Sequence, residues 1–141
     1  MTFCIVTHVP HGKNELSFFA YAPYVWEMNI WFKHTDRVTI VAPLNLKKKT
    51  DIEIDYLHDN ISFVKVEGFN VLSVKSSIKA LINLPKISIK IFMAMKNADH
   101  IHLRCPGNMG LIGCLIQILF PSKPKTAKYA GNWDMNAKQP F

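Results

Sequence analysis

Phe3–Thr7, with the sequence FCIVT, is an apolar run in which polar and apolar side chains do not alternate. A run of this kind, rich in aromatic and β-branched residues, is typical of a strand that is covered on both faces, as in a parallel sheet. Comparable runs recur along the chain, and we therefore predict five strands. They are Phe3–Thr7, Val38–Ala42, Ile61–Val66, His100–Leu103 and Thr126–Ala130.

Three segments between these strands have apolar residues at the i, i+3, i+4 spacing of a helix. In the first of them, Tyr24, Met28 and Trp31 share one face, which we expect to pack on the sheet, and Pro23 suits the first helical position. The predicted helices are Pro23–His34, Val71–Asn97 and Asn108–Phe120. The resulting order, β-α-β-β-α-β-α-β, predicts an α/β fold with a Rossmann-like, doubly wound and mostly parallel sheet.

Proline and glycine mark the boundaries of the predicted helices. The third helix follows Pro106-Gly107, has Asn108 as its N-cap and stops before Pro121. Pro85 should split the second helix in two, because proline cannot complete the hydrogen bonds of a helix interior.

Two segments between the helices and strands are harder to place. The connection from His8 to Ala22 has no predicted secondary structure, and a loop of that length is often a binding loop or a lid. Its aromatic residues, Tyr21 among them, either contact a substrate or pack on the domain. Ile52–Tyr56 adds an edge strand in one interpretation of the pattern.

The composition is that of a folded globular protein. Of the 141 residues, 49% are hydrophobic and 19% are charged, which excludes disordered and collagen-like chains. The length predicts a single domain over residues 1–141. A polar stretch, GNWDMNAKQPF, follows the last predicted strand without a closing helix, so we expect the N-terminal domain of a longer protein.

The charge and the cysteine content indicate which partners and which cellular compartment to expect. The chain has 17 basic and 10 acidic residues, and its net charge of +7 favours phosphates, nucleic acid or an anionic membrane as partners. Three cysteines without a CxxC pair are typical of a reducing compartment, so we predict a location in the cytoplasm or at the inner face of the membrane. The N-terminus lacks the pattern of a secretory signal, and the apolar run Leu111–Phe120 is shorter than the ~20 residues of a membrane-spanning helix.

Lys75, Lys79, Lys86 and Lys90 fall within a narrow arc of the second predicted helix. A basic stripe of this kind lies against anionic lipid, which predicts peripheral membrane contact, or is simply solvated. Nucleic acid is not an expected partner, because the basic residues are not interleaved with aromatic residues and no known motif is present.

Ligands of open parallel sheets bind beyond the carboxyl ends of the strands. The residues that follow strands one, four and five should therefore converge on one edge of the sheet and form a site. The candidates for substrate binding are His8, His11, Gly12, Lys13, Tyr21, Gly107, Asn108, Asn132 and Trp133.

The histidines divide into two pairs. His8 and His11 are metal ligands by residue type, but no Cys or His pair with ligand spacing follows, so we predict no metal site. His100 and His102 alternate along the fourth strand and should point to the same face, either as a hydrogen-bonded pair or toward a site. His102 lies nearer the carboxyl end of that strand.

Gly107, Gly110 and Gly113 recur at three-residue spacing on the third helix. They allow the helix to approach a strand closely, and the free N–H groups at the helix start can also hold a phosphate or carboxylate beside Arg104. The loop after the first strand has a single glycine, Gly12, and lacks the GxGxxG pattern of dinucleotide-binding enzymes. This argues against an NAD- or FAD-dependent oxidoreductase.

Together these elements and loops resemble the N-terminal domain of glycosyltransferase family 4, whose retaining enzymes have the glycosyltransferase-B fold of two facing Rossmann-like domains. The resemblance covers nearly the whole chain through loose motifs. They are FCIVTHVP, RVTIVAP, ADHIHLRCPGNMGLIG and KTAKYAGNWD. Around its fourth strand the family commonly has an Asp and two His, and this chain has Asp99, His102 and, in place of the second His, Arg104.

The resemblance implies that this domain receives the acceptor, a glycan or lipid-linked molecule, and that His102 or Arg104 is catalytic. The complete enzyme would transfer a sugar from a nucleotide-sugar donor to an acceptor hydroxyl with retention, without a metal or other cofactor. The donor site and a pair of glutamates belong to the second domain in this family. This chain alone is therefore expected to lack transferase activity.

A different class of protein fits the same pattern. A non-catalytic α/β binding module or partner subunit would also place polar loops at one edge of a parallel sheet. A flavodoxin-like or receiver-like domain is disfavoured, because the chain lacks an acidic cluster and a Ser/Thr-rich phosphate loop after the first strand.

Overall fold

The computed structural model describes residues 1–46, 48–68 and 74–130, with the backbone alone over 74–80. The strands within these ranges are β1 (Thr2–Val6), β2 (Gly12–Lys13), β3 (Phe18–Tyr21), β4 (Arg37–Pro43), β5 (Glu53–Asp55), β6 (Ile61–Val66), β7 (His100–Cys105) and β8 (Lys125–Tyr129). The helices are α1 (Ala22–Phe32), α2 (Val74–Lys96) and α3 (Asn108–Ile116), and a 3₁₀ helix (Gln117–Leu119) continues α3.

The five predicted strands form one parallel sheet in the order β6-β4-β1-β7-β8. β1 lies in its centre, where Val6 is in register with Val41 of β4 on one side and Leu103 of β7 on the other. From β1 the chain first extends the sheet toward β6 and then returns to extend it toward β8. The predicted α/β architecture with a parallel central sheet is therefore confirmed, and it is compatible with a Rossmann-like fold.

Helices cover both faces of this sheet, which explains the unbroken apolar run of β1. Cys4 and Val6 point into a layer formed with α2 and α3, whereas Phe3 and Ile5 point into a layer formed with α1. All four side chains are at most 1% exposed. A strand between two helical layers has no solvent face and thus no polar alternation.

The connection after β1 is not the unstructured loop that the sequence predicts. β2 and β3 pair antiparallel within it, and β5 joins β3 to make a second, three-stranded sheet. The predicted edge strand at Ile52–Tyr56 thus belongs to this small sheet and not to the central one. Two aromatic residues of the connection pack on the domain, since Phe19 is fully buried and Phe18 stacks on Phe63 at 4.8 Å between ring centroids, whereas Tyr21 is exposed.

The helices differ from the prediction at several points, and α1 and α3 both end a few residues earlier than predicted. α2 continues through Pro85 instead of splitting, because Ile87 and Ile91 on its inner side are buried against the sheet and stabilise the helix on both sides of the proline. Pro23 is the second residue of α1, which begins at Ala22. The N-cap of α3 is Gly107 and not the predicted Asn108, which is the first helical residue.

Candidate functional site

A cleft of about 450 Å³ lies at the carboxyl edge of the central sheet. It is lined by His8, Pro10, Pro43, Gly68, Gly107, Asn108 and Met109. His8 follows β1, and Gly107 and Asn108 follow β7, so the cleft lies between the two strands at which the chain reverses its direction of winding. This switch point is the usual ligand position in doubly wound sheets.

Gly107 brings the start of α3 close to the loop after β1. Its φ angle is 144°, in the region that favours glycine, and a Cβ atom built on it would lie 2.9 Å from Nδ1 of His8. The close approach leaves the imidazole of His8 beside the first turn of α3. The backbone N–H groups at the start of a helix and a histidine ring therefore face the same cleft.

His8 has a lowered pKa. Burial of the ring is the main cause, and the positive charge of Arg104 adds to it. The imidazole is consequently neutral at pH 7 and can donate one hydrogen bond and accept another. Such a group suits a hydroxyl-bearing ligand.

The Arg104 side chain lies on the α1 side of the sheet. Its Nη1 is 3.3 Å from Oε2 of Glu27, and its guanidinium lies over the ring of Tyr24 at 4.7 Å. Lys128 of β8 contacts the other carboxylate oxygen of Glu27 at 2.6 Å. One carboxylate thus holds two cations in place, and it fixes Arg104 behind the cleft.

His102 lies deeper on the same face as Arg104 and is almost fully buried. Its Nδ1 is 2.7 Å from Oγ1 of Thr126, and its ring lies 5.4 Å from that of Trp31. Burial lowers its pKa to about 4, while Glu27 opposes the shift. No residue that the structure describes forms a hydrogen bond with Nε2 of His102.

His100 shares the Thr126 hydroxyl, at 3.0 Å from its own Nε2. A hydroxyl has one hydrogen to donate, so at least one of the two rings donates its N–H to Thr126. The predicted orientation of His100 and His102 to one face is confirmed, since both rings stack on Phe3. His102 does not line the cleft.

Four further candidates lie away from the cleft, in or beside the second sheet. His11 is fully buried and is held by the Val9 carbonyl at 2.8 Å and the Tyr56 hydroxyl at 2.7 Å. Gly12 packs on Phe19, where an added Cβ would lie 2.0 Å from Cζ of the ring. Lys13 lies over Phe18, and Tyr21 is an exposed residue that precedes α1. The structure does not bring these residues to His8.

The glycines of α3 serve helix packing. A Cβ on Gly110 would lie 2.5 Å from the Arg104 carbonyl oxygen, and one on Gly113 would lie 2.8 Å from the Leu103 side chain. The absence of a Cβ atom at both positions lets α3 approach β7 closely. The three-residue spacing of the glycines thus serves the packing of the helix on the strand. The predicted Asn132 and Trp133 lie outside the described residues, as do the side chains of Lys75 and Lys79.

The sequence did not indicate that Glu27 contacts both Arg104 and Lys128. It also did not indicate that Thr126 and Trp31 are neighbours of His102. Glu27 is the only acidic residue of α1, and that isolation within a helix was the one signal available in the sequence. Its partner Arg104 is 77 residues away, so only the fold brings the two together.

The described residues contain no group of three or more His, Cys, Asp and Glu side chains suited to a metal ion. Of the helices in the described part of the chain, none combines the length and apolarity needed to cross a bilayer. Comparison with family models, curated proteins and solved structures gives no significant match.

Proposed function

We propose that this chain is the acceptor-binding, N-terminal domain of a retaining glycosyltransferase with the glycosyltransferase-B fold. The cleft at the switch point of the parallel sheet carries the proposal. The cleft opens where His8 and the first turn of α3 meet. Its volume of about 450 Å³ is enough for one or two sugar rings.

The residues around the cleft support a polyhydroxyl ligand. His8 contributes a neutral imidazole, the first turn of α3 contributes backbone N–H groups, and Asn108 contributes an amide. Pro10, Pro43 and Met109 contribute apolar surface, on which the C–H faces of a sugar can pack. In this proposal His8 and Asn108 bind the acceptor directly.

Arg104 and His102 take different parts in the proposal. Burial is the main cause of the lowered pKa of His8, and the positive charge of Arg104 lowers that pKa further. His102 lies two residues before Arg104 on β7. It positions β8 through its hydrogen bond with Thr126. The donor nucleotide and its diphosphate belong to a second domain in this architecture, so the proposal gives this chain no donor site.

Binding of methyl glycosides to the chain tests the proposal. In ¹H–¹⁵N and histidine-ring NMR titrations, at least one neutral methyl hexoside is expected to shift the signals of His8 and Asn108. His8→Ala should weaken that binding about tenfold, as expected for one lost hydrogen bond of ~1.4 kcal/mol. His34→Ala is the control, since His34 is exposed on the segment after α1.

Two results would contradict the proposal. One is that no hexoside of a panel covering the gluco, galacto, manno and N-acetyl configurations shifts the signals of the cleft. The other is that nucleoside diphosphates bind there more tightly than any glycoside, which would favour a nucleotide-binding module instead.

A further inference from the structure

The helices α2 and α3 carry apolar side chains on the side that faces away from the sheet. These side chains form a surface that we call the outer apolar surface. It consists of Leu81, Ile82, Ile89, Leu115, Ile118 and Leu119, which are each between 62% and 73% exposed. The inner sides of the same helices bury Ile87, Ile91 and Ile112 against the sheet. Both helices are thus apolar on two opposite sides, which core packing alone does not require.

The exposed residues of the two helices belong to one surface. α2 and α3 pack on the same face of the central sheet. Phe92 of α2 and Phe120, which follows the 3₁₀ helix, contact each other with ring centroids 5.2 Å apart. This contact between two half-buried rings joins α2 to the end of the 3₁₀ helix. A contiguous exposed apolar patch of this kind marks an interaction site.

The charges around this surface are mostly positive. One carboxylate, that of Glu67, lies beside α2, where its Oε2 accepts a hydrogen bond from Nδ2 of Asn83 at 3.1 Å. Between residues 68 and 130 the sequence has nine lysines and arginines and a single acidic residue, Asp99. The carboxylate of Asp99 accepts a hydrogen bond from the Thr2 backbone at 2.7 Å, at the far end of β1. α2 contains five lysines, and α3 with its 3₁₀ extension contains no charged residue.

Lysines lie at the border of the apolar residues on α2. Lys86 and Lys96 are exposed, and Lys86 follows Ile82 by four residues, which places it one turn further along the helix. Lys123, in contrast, is used within the fold, where its ammonium donates to the carbonyls of Met95 and Lys96 at 2.9 and 2.6 Å. Lys90 is used in the same way, since its ammonium donates to the Lys65 carbonyl at 2.6 Å. Among the described lysine side chains of α2, the exposed ones next to the apolar patch are therefore Lys86 and Lys96.

We infer that the outer apolar surface lies on an anionic lipid bilayer, with the leucines and isoleucines in the interface and the lysines at the headgroups. Apolar helix sides flanked by lysine bind such bilayers through area burial and attraction to anionic lipid. A second copy of this chain fits less well, because a symmetric contact would bring the lysines of α2 together with only Glu67 of each copy beside them. The inference does not depend on the proposed ligand cleft.

Co-sedimentation with vesicles tests the inference. The chain is expected to bind vesicles of equimolar phosphatidylcholine and phosphatidylglycerol, and to bind vesicles of phosphatidylcholine alone at least tenfold more weakly. Raising the salt concentration should weaken the binding to anionic vesicles, because it screens the lysines.

Two double variants show whether vesicle binding depends on the outer apolar surface or on exposed apolar residues in general. Ile82→Asp with Ile89→Asp should reduce the partition coefficient at least tenfold. Leu16→Asp with Leu57→Asp is the matched control, since Leu16 and Leu57 are 99% and 77% exposed and lie on the loops of the second sheet. The control should leave vesicle binding within a factor of two of the unchanged chain.

Charge reversal tests the electrostatic part. Lys86→Glu with Lys96→Glu should lower binding to anionic vesicles by at least 25-fold, at about fivefold for each lysine near the headgroups. Lys33→Glu with Lys48→Glu, both exposed and outside α2, is the control. Circular dichroism establishes that each variant is folded.

Three results would overturn the inference. The first is that the unchanged chain does not sediment with anionic vesicles at low salt. The second is equal binding to neutral and anionic vesicles. The third is a dimer in solution that Ile82→Asp with Ile89→Asp dissociates while vesicle binding stays unchanged, which would make a second copy the occupant of this surface.

Discussion

The free energy of unfolding is expected to fall by several kcal/mol between about pH 7 and about pH 4. Two buried histidines cause this loss, because burial lowers the pKa of His11 and of His102 to about 4 from the ordinary 6.5. Each shift corresponds to about 3 kcal/mol at ~1.4 kcal/mol per pH unit. His8 and His100, whose pKa values are also lowered by burial, act in the same direction.

The sign follows from which state binds more protons. In the unfolded chain a histidine takes up its proton near pH 6.5, whereas in the folded protein His11 and His102 do so only near pH 4. Between these values the unfolded state carries more protons, so acidification favours it. The stabilisation is fully present above about pH 6.5 and is lost as the pH falls through this window. Hydrogen bonds lower the pKa of Asp36 and Asp55, so those carboxylates titrate below it.

Urea unfolding at a series of pH values measures this dependence. His11→Gln and His102→Gln should each flatten the slope of unfolding free energy against pH, whatever their effect on absolute stability. His34→Gln, at an exposed position, is the control for the substitution itself. If the free energy of unfolding of the unchanged protein stays constant from pH 6.5 to pH 4, the burial of both rings is contradicted.

Gly12→Ala is expected to destabilise the fold by about 3 kcal/mol, as overpacking of a rigid site does. The new Cβ would lie 2.0 Å from Cζ and 2.3 Å from Cε2 of Phe19. The phenyl ring is fully buried and cannot move away without displacing the second sheet. Thermal or urea unfolding of the variant gives the size of the effect.

Gly68→Ala is the matched control for this substitution. The nearest atom to its added Cβ is Cγ of Pro43 at 3.4 Å, an ordinary contact distance, so its stability should stay within about 1 kcal/mol of the unchanged protein. Phe19→Leu in the Gly12→Ala background should restore part of the loss by making room. If Gly12→Ala lowers the free energy of unfolding no more than Gly68→Ala does, Gly12 does not pack closely on Phe19.

Much of the central sheet could be predicted because its strands are apolar on both sides. β1 and β4 are largely buried between the helical layers, so their apolar runs alone indicate strands inside a parallel sheet. The second sheet could not be predicted in this way. β2 and β5 have two and three residues, and β3 pairs with β5 across more than 30 intervening positions, as in Phe19 with Asp55. Strands this short carry no periodicity.

The sequence by itself determined the parallel α/β fold and the position of His8, Gly107 and Asn108 at one edge of it, because these residues directly follow strands whose carboxyl ends must meet. Only the tertiary structure decided that His11, three residues after His8, is buried under Tyr56 and that Arg104 is held by Glu27. It also decided that Leu81 and Ile82 face outward. Local pattern specifies which segments form strands and helices, whereas pairing between distant residues depends on how those elements pack.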